Sequence, residues 1–273
     1  MKKILIIITG LVLLSACSRY QKVYNGKDLE AKYKMAWELY EAGKYKKADQ
    51  LFSQADKFYK HKPVYQRLLF AHAVSLYNQK YYVSAGEKFR KFTQLYPESS
   101  KAEEAAFYIV KAYDQLSPKY SVDQSYTIRA MEEVNQFLKK YPYSKYKDEV
   151  NAINTKLQHK LERKYFEIDK MYYDLDRYKA AIRALNNYLI EYPGSHLKED
   201  ALFYRFKAAA DLALNSVESK KKERLETAMT YYKNFIQKSK NEPLKKEAEK
   251  VYQELEKASK QMDEQNKPLV STK

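Results

Sequence analysis

The sequence predicts an all-α fold of stacked helix pairs, about five of them followed by a C-terminal capping helix. Three observations predict it. Gly and Pro are scarce, five and seven in 273 residues, so tight turns are few, which disfavours a many-stranded sheet. A small residue followed by large apolar ones at +4 and +7 recurs five times along the chain. Proline follows each recurrence at a nearly constant distance, where it would stop one helix and start the next.

The recurrence is readable residue by residue. Ala85, Phe89, Phe92 and Pro97 recur as Ala130, Val134, Phe137 and Pro142, and again as Ala181, Leu185, Tyr188 and Pro193. Ala48, Phe52 and Ala55 precede them, and Ala228, Tyr232 and Phe235 follow, with Pro63 and Pro243 displaced by three residues. Positions i, i+4 and i+7 share one helix face, so each Ala admits a neighbouring helix while the large residues fill the space beside it. The preceding helices repeat as well. Tyr96-Pro97-Glu98-Ser99 leads into Glu103, Ala105, Phe107, Tyr108, Lys111 and Ala112. Ninety-six residues on, Tyr192-Pro193-Gly194-Ser195 leads into Glu199, Ala201, Phe203, Tyr204, Lys207 and Ala208. The serine after each proline is expected to cap the helix that follows. The steps of 37, 45, 51 and 47 residues argue against a coiled coil, whose register would be continuous.

These residues resemble the tetratricopeptide repeat. Ala36, Gly43, Tyr45, Ala48, Phe52 and Ala55 fall at its favoured places in the first pair, and Ala73, Tyr82, Ala85, Phe89 and Pro97 do so in the second. Two stretches depart from it, residues 117–124 and the charged residues 219–224, and both are expected as longer inter-helix loops. A last helix is expected from about Leu244 to Lys257, before a polar, disordered tail over 261–273.

The amino terminus sets the compartment. Met1-Lys2-Lys3 precedes an apolar run from Ile4 to Leu14, too short for the roughly 20 residues that span a bilayer but suited to a secretory signal. Leu14-Ser15-Ala16-Cys17 resembles the lipobox of bacterial lipoproteins. The resemblance implies cleavage of residues 1–16, a lipid on Cys17, a linker over 17–28 and the repeat array over 29–260. Cys17 is the only cysteine, so no internal disulfide can form. Ser18, in place of Asp, implies sorting to the outer membrane.

Charge and composition narrow the function. The formal net charge is +16, and Lys2 and Lys3 leave with the signal. Such an excess suits nucleic acid, anionic lipid or acidic protein surfaces, and export argues against nucleic acid. A solvated lysine-rich surface accounts for most of it. His61, His72, His159 and His196 form no His-Glu-x-x-His pattern, there is no cysteine pair to hold a metal, and no glycine-rich phosphate loop is present. An enzyme is therefore not expected, nor any cofactor beyond the covalent lipid.

A stacked array offers a face lined by the first helix of each pair. In the first pair that helix carries Tyr33, Trp37 and Tyr40 at i, i+4 and i+7; in the second it carries Arg67, Phe70 and Tyr77. Aromatic anchors beside an arginine suit an extended peptide with an apolar end and a carboxylate. Trp37, Tyr40, Arg67 and Tyr77 are expected on the open face, with the remaining rings shared with the core.

The lipobox, the number of pairs and the Tyr-Pro-x-Ser recurrences together resemble the BamD family, the lipoprotein component of the outer-membrane β-barrel assembly machine. The resemblance spans roughly residues 29–257. It implies a body on the periplasmic face that scaffolds the complex. Its partners would be the barrel insertase (BamA-like) with its accessory subunits, and unfolded β-barrel substrates. Substrates would meet the first pairs, and residues 165–235 would dock on the insertase. An envelope adaptor coordinating cell-wall synthesis is the alternative, although such adaptors usually lack a lipid anchor.

Overall fold

In the computed structural model the described residues are 19–265. Cys17, the signal segment and residues 266–273 lie outside them. Residues 19–25 are helical, and eleven longer helices follow among the described residues. They are α1 (Leu29–Glu41), α2 (Tyr45–Tyr59), α3 (Tyr65–Asn78), α4 (Tyr82–Leu95), α5 (Ala102–Leu116), α6 (Ser125–Lys140), α7 (Lys147–Asp174), α8 (Tyr178–Glu191), α9 (Lys198–Leu214), α10 (Glu218–Lys238) and α11 (Glu242–Gln265). The architecture is all-α, five helix pairs and a capping helix. None of the described helices is long and apolar enough to cross a membrane.

The recurrent small residue does what its size allows. Ala48, Ala85, Ala130, Ala181 and Ala228 are all fully buried, at 0 % exposure, so each marks a place where a second helix approaches the backbone. The +4 and +7 residues fill the adjoining space: Phe52, Phe89, Phe92, Val134, Phe137, Leu185, Tyr188 and Phe235 are buried. Tyr232 is half-buried and donates its hydroxyl to Glu249 of the capping helix.

The turn inside the first, second and fourth pairs also repeats. Gly43 takes φ +69°, and the equivalent Lys80 and Asp176 take +65° and +56°. In each turn the next residue's N–H reaches five residues back, as in Lys44 to Leu39 O (2.8 Å), Tyr81 to Leu76 O (3.0 Å) and Arg177 to Tyr172 O (2.8 Å). This bond satisfies an orphan carbonyl at the helix end. Only Gly43 adopts the left-handed backbone without penalty; Lys80 carries a strain of about 1 kcal/mol there.

The serines after Pro97, Pro142 and Pro193 act one step earlier than expected. The hydroxyls of Ser99, Ser144 and Ser195 accept from the backbone N–H of Lys101 (3.1 Å), Tyr146 (2.9 Å) and Leu197 (3.0 Å). Lys101 and Leu197 are themselves the N-cap positions of α5 and α9. The serines therefore close the turn ahead of the helix instead of capping it. Each is also tied to the first helix of the preceding pair. Gln66 donates to Ser99, Ser144 donates to Glu103 (2.6 Å), and Ser195 donates to Glu162 (3.0 Å). Ser239 repeats the device with Glu199 (2.7 Å).

Two expected irregular stretches prove helical. Residues 219–224 form the first turns of α10, because Lys, Glu and Arg are strong helix formers and Glu218 sits favourably at the positive N-terminus. The capping helix begins at Glu242 and runs through Gln265, so residues 261–265 are ordered helix, with Met262 buried. Residues 117–124 do form the long loop between α5 and α6.

The chain divides into two compact units. The first takes residues up to Pro118 and Val122–Leu157; the second takes Lys119–Ser121 and everything from Gln158. The boundary falls inside α7, whose 28 residues are twice the 14 of α3. The step from Ala130 to Ala181 carries this excess, fourteen residues more than the step from Ala48 to Ala85. Fourteen residues are about four helical turns, one repeat helix. In the first unit Val150, Ile153 and Leu157 of α7 join the core of pairs one to three. In the second, Phe166 of α7 packs with Leu185, Tyr188 and Ala201.

Candidate functional site

The aromatic face of the first unit is built on α1, α3 and α5. On α1, Tyr33, Trp37 and Tyr40 line one face; the Trp37 ring lies 6.1 Å from Tyr33 and 5.5 Å from Tyr40, both edge to face. Such pairs are worth about 0.5–1.5 kcal/mol beyond area burial. The Arg67 guanidinium of α3, exposed to solvent, sits 4.7 Å from the Trp37 ring centre. Four of the six expected residues thus form one cluster.

Phe70 and Tyr77 form a second cluster around Tyr108 of α5. Phe70 packs against Phe89 (5.6 Å) and Phe92 (5.4 Å), and Tyr77 against Tyr108 (5.1 Å). Tyr108 is stacked on Phe89 at 4.8 Å. All five predicted rings are half-buried, so they are shared between core and surface. Burial pushes the Tyr40 and Tyr77 hydroxyls up to about 12, which keeps them neutral donors at physiological pH. Tyr40 also feels Tyr45, Tyr108 and Glu104, so α1 looks across the face at α5. Trp37 Nε1 is buried with no hydrogen-bond partner among the described residues.

Three functional candidates were missed in the sequence. Tyr108 links the two halves of the second cluster. Lys101 lies 5.4 Å from the Phe70 ring centre and 2.7 Å from Glu104. Lys111 lies 5.2 Å from Phe107 and 5.9 Å from Tyr108. With Arg67 they place a cation over a ring on three successive first helices. The signal was present: an aromatic recurs at one position of every first helix, Tyr33, Phe70, Phe107, Phe166 and Phe203, with Lys111, Lys170 and Lys207 one turn later.

The second unit carries an open cleft of about 620 Å³ between α7 and α8, lined by Tyr165, Ile168, Asp169, Tyr172, Lys179 and Arg183 among others. Of its lining side chains Tyr165, Ile168 and Tyr172 are exposed, beside the charged Asp169, Lys179, Arg183 and Glu191. Burial, and secondarily Glu191, raises the Asp169 carboxyl to about 6.

One polar group, around the buried His72, has the composition of a hydrolytic relay. His72 Nε2 lies 2.7 Å from Asp49 Oδ1 and 3.2 Å from Ser53 Oγ. A working relay needs the acid on Nδ1 and the serine on Nε2. Here both partners share Nε2, and Nδ1 is buried without a partner. Burial lowers the His72 pKa. The group holds α2 to α3 and has no relay geometry.

Fold and face together define a tetratricopeptide-like helical-repeat protein whose first helices present rings and cations. The chain belongs to the YfiO family of outer membrane lipoproteins, whose family model matches residues 26–225. The match runs from just before α1 into α10 and includes both aromatic clusters and the cleft. A search of curated proteins found no match.

Proposed function

We propose that this outer membrane lipoprotein scaffolds the β-barrel assembly machine from the periplasmic face, held by lipid on Cys17. The first unit receives unfolded barrel substrates, and the second docks on the barrel insertase and its accessory subunits. The observation that carries this reading is the pairing of the family match with the ring-and-cation face of α1, α3 and α5. Half-buried rings lose little further entropy on binding an apolar side chain, and the cations above them suit a peptide carboxylate. The cleft between α7 and α8, with Tyr165, Ile168 and Tyr172 exposed beside charged side chains, supports docking through the second unit. No bond-making step is assigned to the chain, and nucleic acid is not among its partners.

Trp37 is the only tryptophan, so its fluorescence reports directly on the first cluster. Titration with a peptide matching the aromatic carboxy-terminal segment of an outer-membrane barrel should shift its emission saturably. Arg67→Glu should weaken binding about tenfold through lost cation–carboxylate attraction and leave the helical circular dichroism unchanged. An emission that ignores the peptide would remove this face as the receiving site.

A further inference from the structure

Two histidines 37 residues apart in sequence meet in the second unit. His159 lies on α7, and His196 follows Ser195 in the turn that leads into α9. Their ring centres are 4.2 Å apart. Glu162, one helical turn after His159, completes the group: its Oε2 is 2.9 Å from His196 Nδ1 and accepts from Ser195 Oγ at 3.0 Å. One ligand atom from each of the three side chains lies within 4.8 Å of the others.

Geometry and chemistry agree on a use for this group. Imidazole and carboxylate together suit zinc and its first-row neighbours, and a helical i, i+3 pair plus a third ligand from elsewhere is a common way to assemble such a set. Zinc binds these donors at about 2.0–2.2 Å, which sets ligand atoms roughly 3.3 Å apart in a tetrahedron. The donor atoms, now within 4.8 Å of one another, must draw together by up to about 1.5 Å to reach that spacing, and both imidazoles are solvent-exposed and so can turn to do it. Glu162 is already oriented by the Ser195 hydroxyl, the kind of outer contact that steadies a ligand.

We propose that His159, Glu162 and His196 bind one divalent transition-metal ion of the zinc class, with water in the fourth position. The ion joins α7 to the turn ahead of α9 and so clasps the fourth helix pair to the fifth. Lys156 and Arg163, within one turn of His159 on α7, are each paired with a carboxylate, Asp114 at 2.5 Å and Glu167 at 3.7 Å, so they add little repulsion to a bound cation.

The test uses the full chain, purified with any histidine tag removed and titrated with Zn²⁺ by calorimetry. One zinc per chain is expected. His159→Ala and His196→Ala should each weaken binding at least tenfold, and Glu162→Gln should weaken it while keeping the Ser195 contact. His61→Ala, which alters an exposed histidine outside the group, should leave it unchanged. Co²⁺ added to the unaltered chain should give ligand-field bands of a nitrogen-ligated site, a readout independent of the variants' folding. Absence of binding, or unchanged affinity in the His159→Ala/His196→Ala double variant, would overturn the proposal.

Discussion

Replacing Cys17 with Ala is expected to abolish lipid incorporation and leave the precursor uncleaved or the protein mislocalised. Attachment through acyl chains gains about 0.8 kcal/mol per buried methylene, and a single chain holds a protein only marginally. Cys17 is the sole thiol, so no second cysteine can take the lipid. The basic surface cannot substitute, since each Lys or Arg near an anionic leaflet contributes only about 1 kcal/mol and is screened by salt. Metabolic labelling with palmitate and fractionation of membranes check this together. Palmitate label that persists in Cys17→Ala would remove the lipid anchor from the account.

Phe89→Ala should destabilise the chain by about 3–5 kcal/mol, the range for emptying a buried aromatic site. Phe89 is at 0 % exposure, stacked on Tyr108 at 4.8 Å and 5.6 Å from Phe70. Its loss removes the floor beneath Phe70 and Tyr108 as well as core volume. In a repeat array each pair is supported chiefly by its neighbours, so little can compensate. Tyr143→Ala is the control: that ring is 98 % exposed and its removal should change stability by less than about 0.5 kcal/mol. Guanidinium denaturation followed by circular dichroism measures both. A Phe89→Ala loss below about 1 kcal/mol would mean that the recurrent +4 position does not set the core.

The fold was largely legible because its determinants are local and periodic. The five alanines and their +4 and +7 partners identify the second helix of each pair without any long-range information. The doubled α7 was legible only as an excess in the Ala130–Ala181 step, since nothing in Lys147–Asp174 marks where one repeat helix ends. Residues 219–224 misled because charge was read as loop, whereas Lys and Glu favour helix as readily as solvent.

The site was partly legible. Tyr33, Trp37 and Tyr40 share a helix face by simple spacing, but the placement of Arg67 over Trp37 depends on how α1 and α3 pack. Tyr108 and Lys111 were visible as marks of the repeat, and nothing local distinguished that role from one on the surface. His159, Glu162 and His196 escaped the metal patterns because those patterns read ligands within one short stretch, and this group is assembled by the pairing of α7 with a turn 34 residues after Glu162.

The central claim, that this lipoprotein works within the barrel-assembly machine, is tested most directly by its company in the membrane. The tagged protein would be purified from outer membranes in mild detergent and its partners identified by mass spectrometry. The account predicts near-stoichiometric recovery of a large barrel protein bearing repeated periplasmic domains. Recovery of cell-wall synthases in its place, or of no stoichiometric partner, would contradict it.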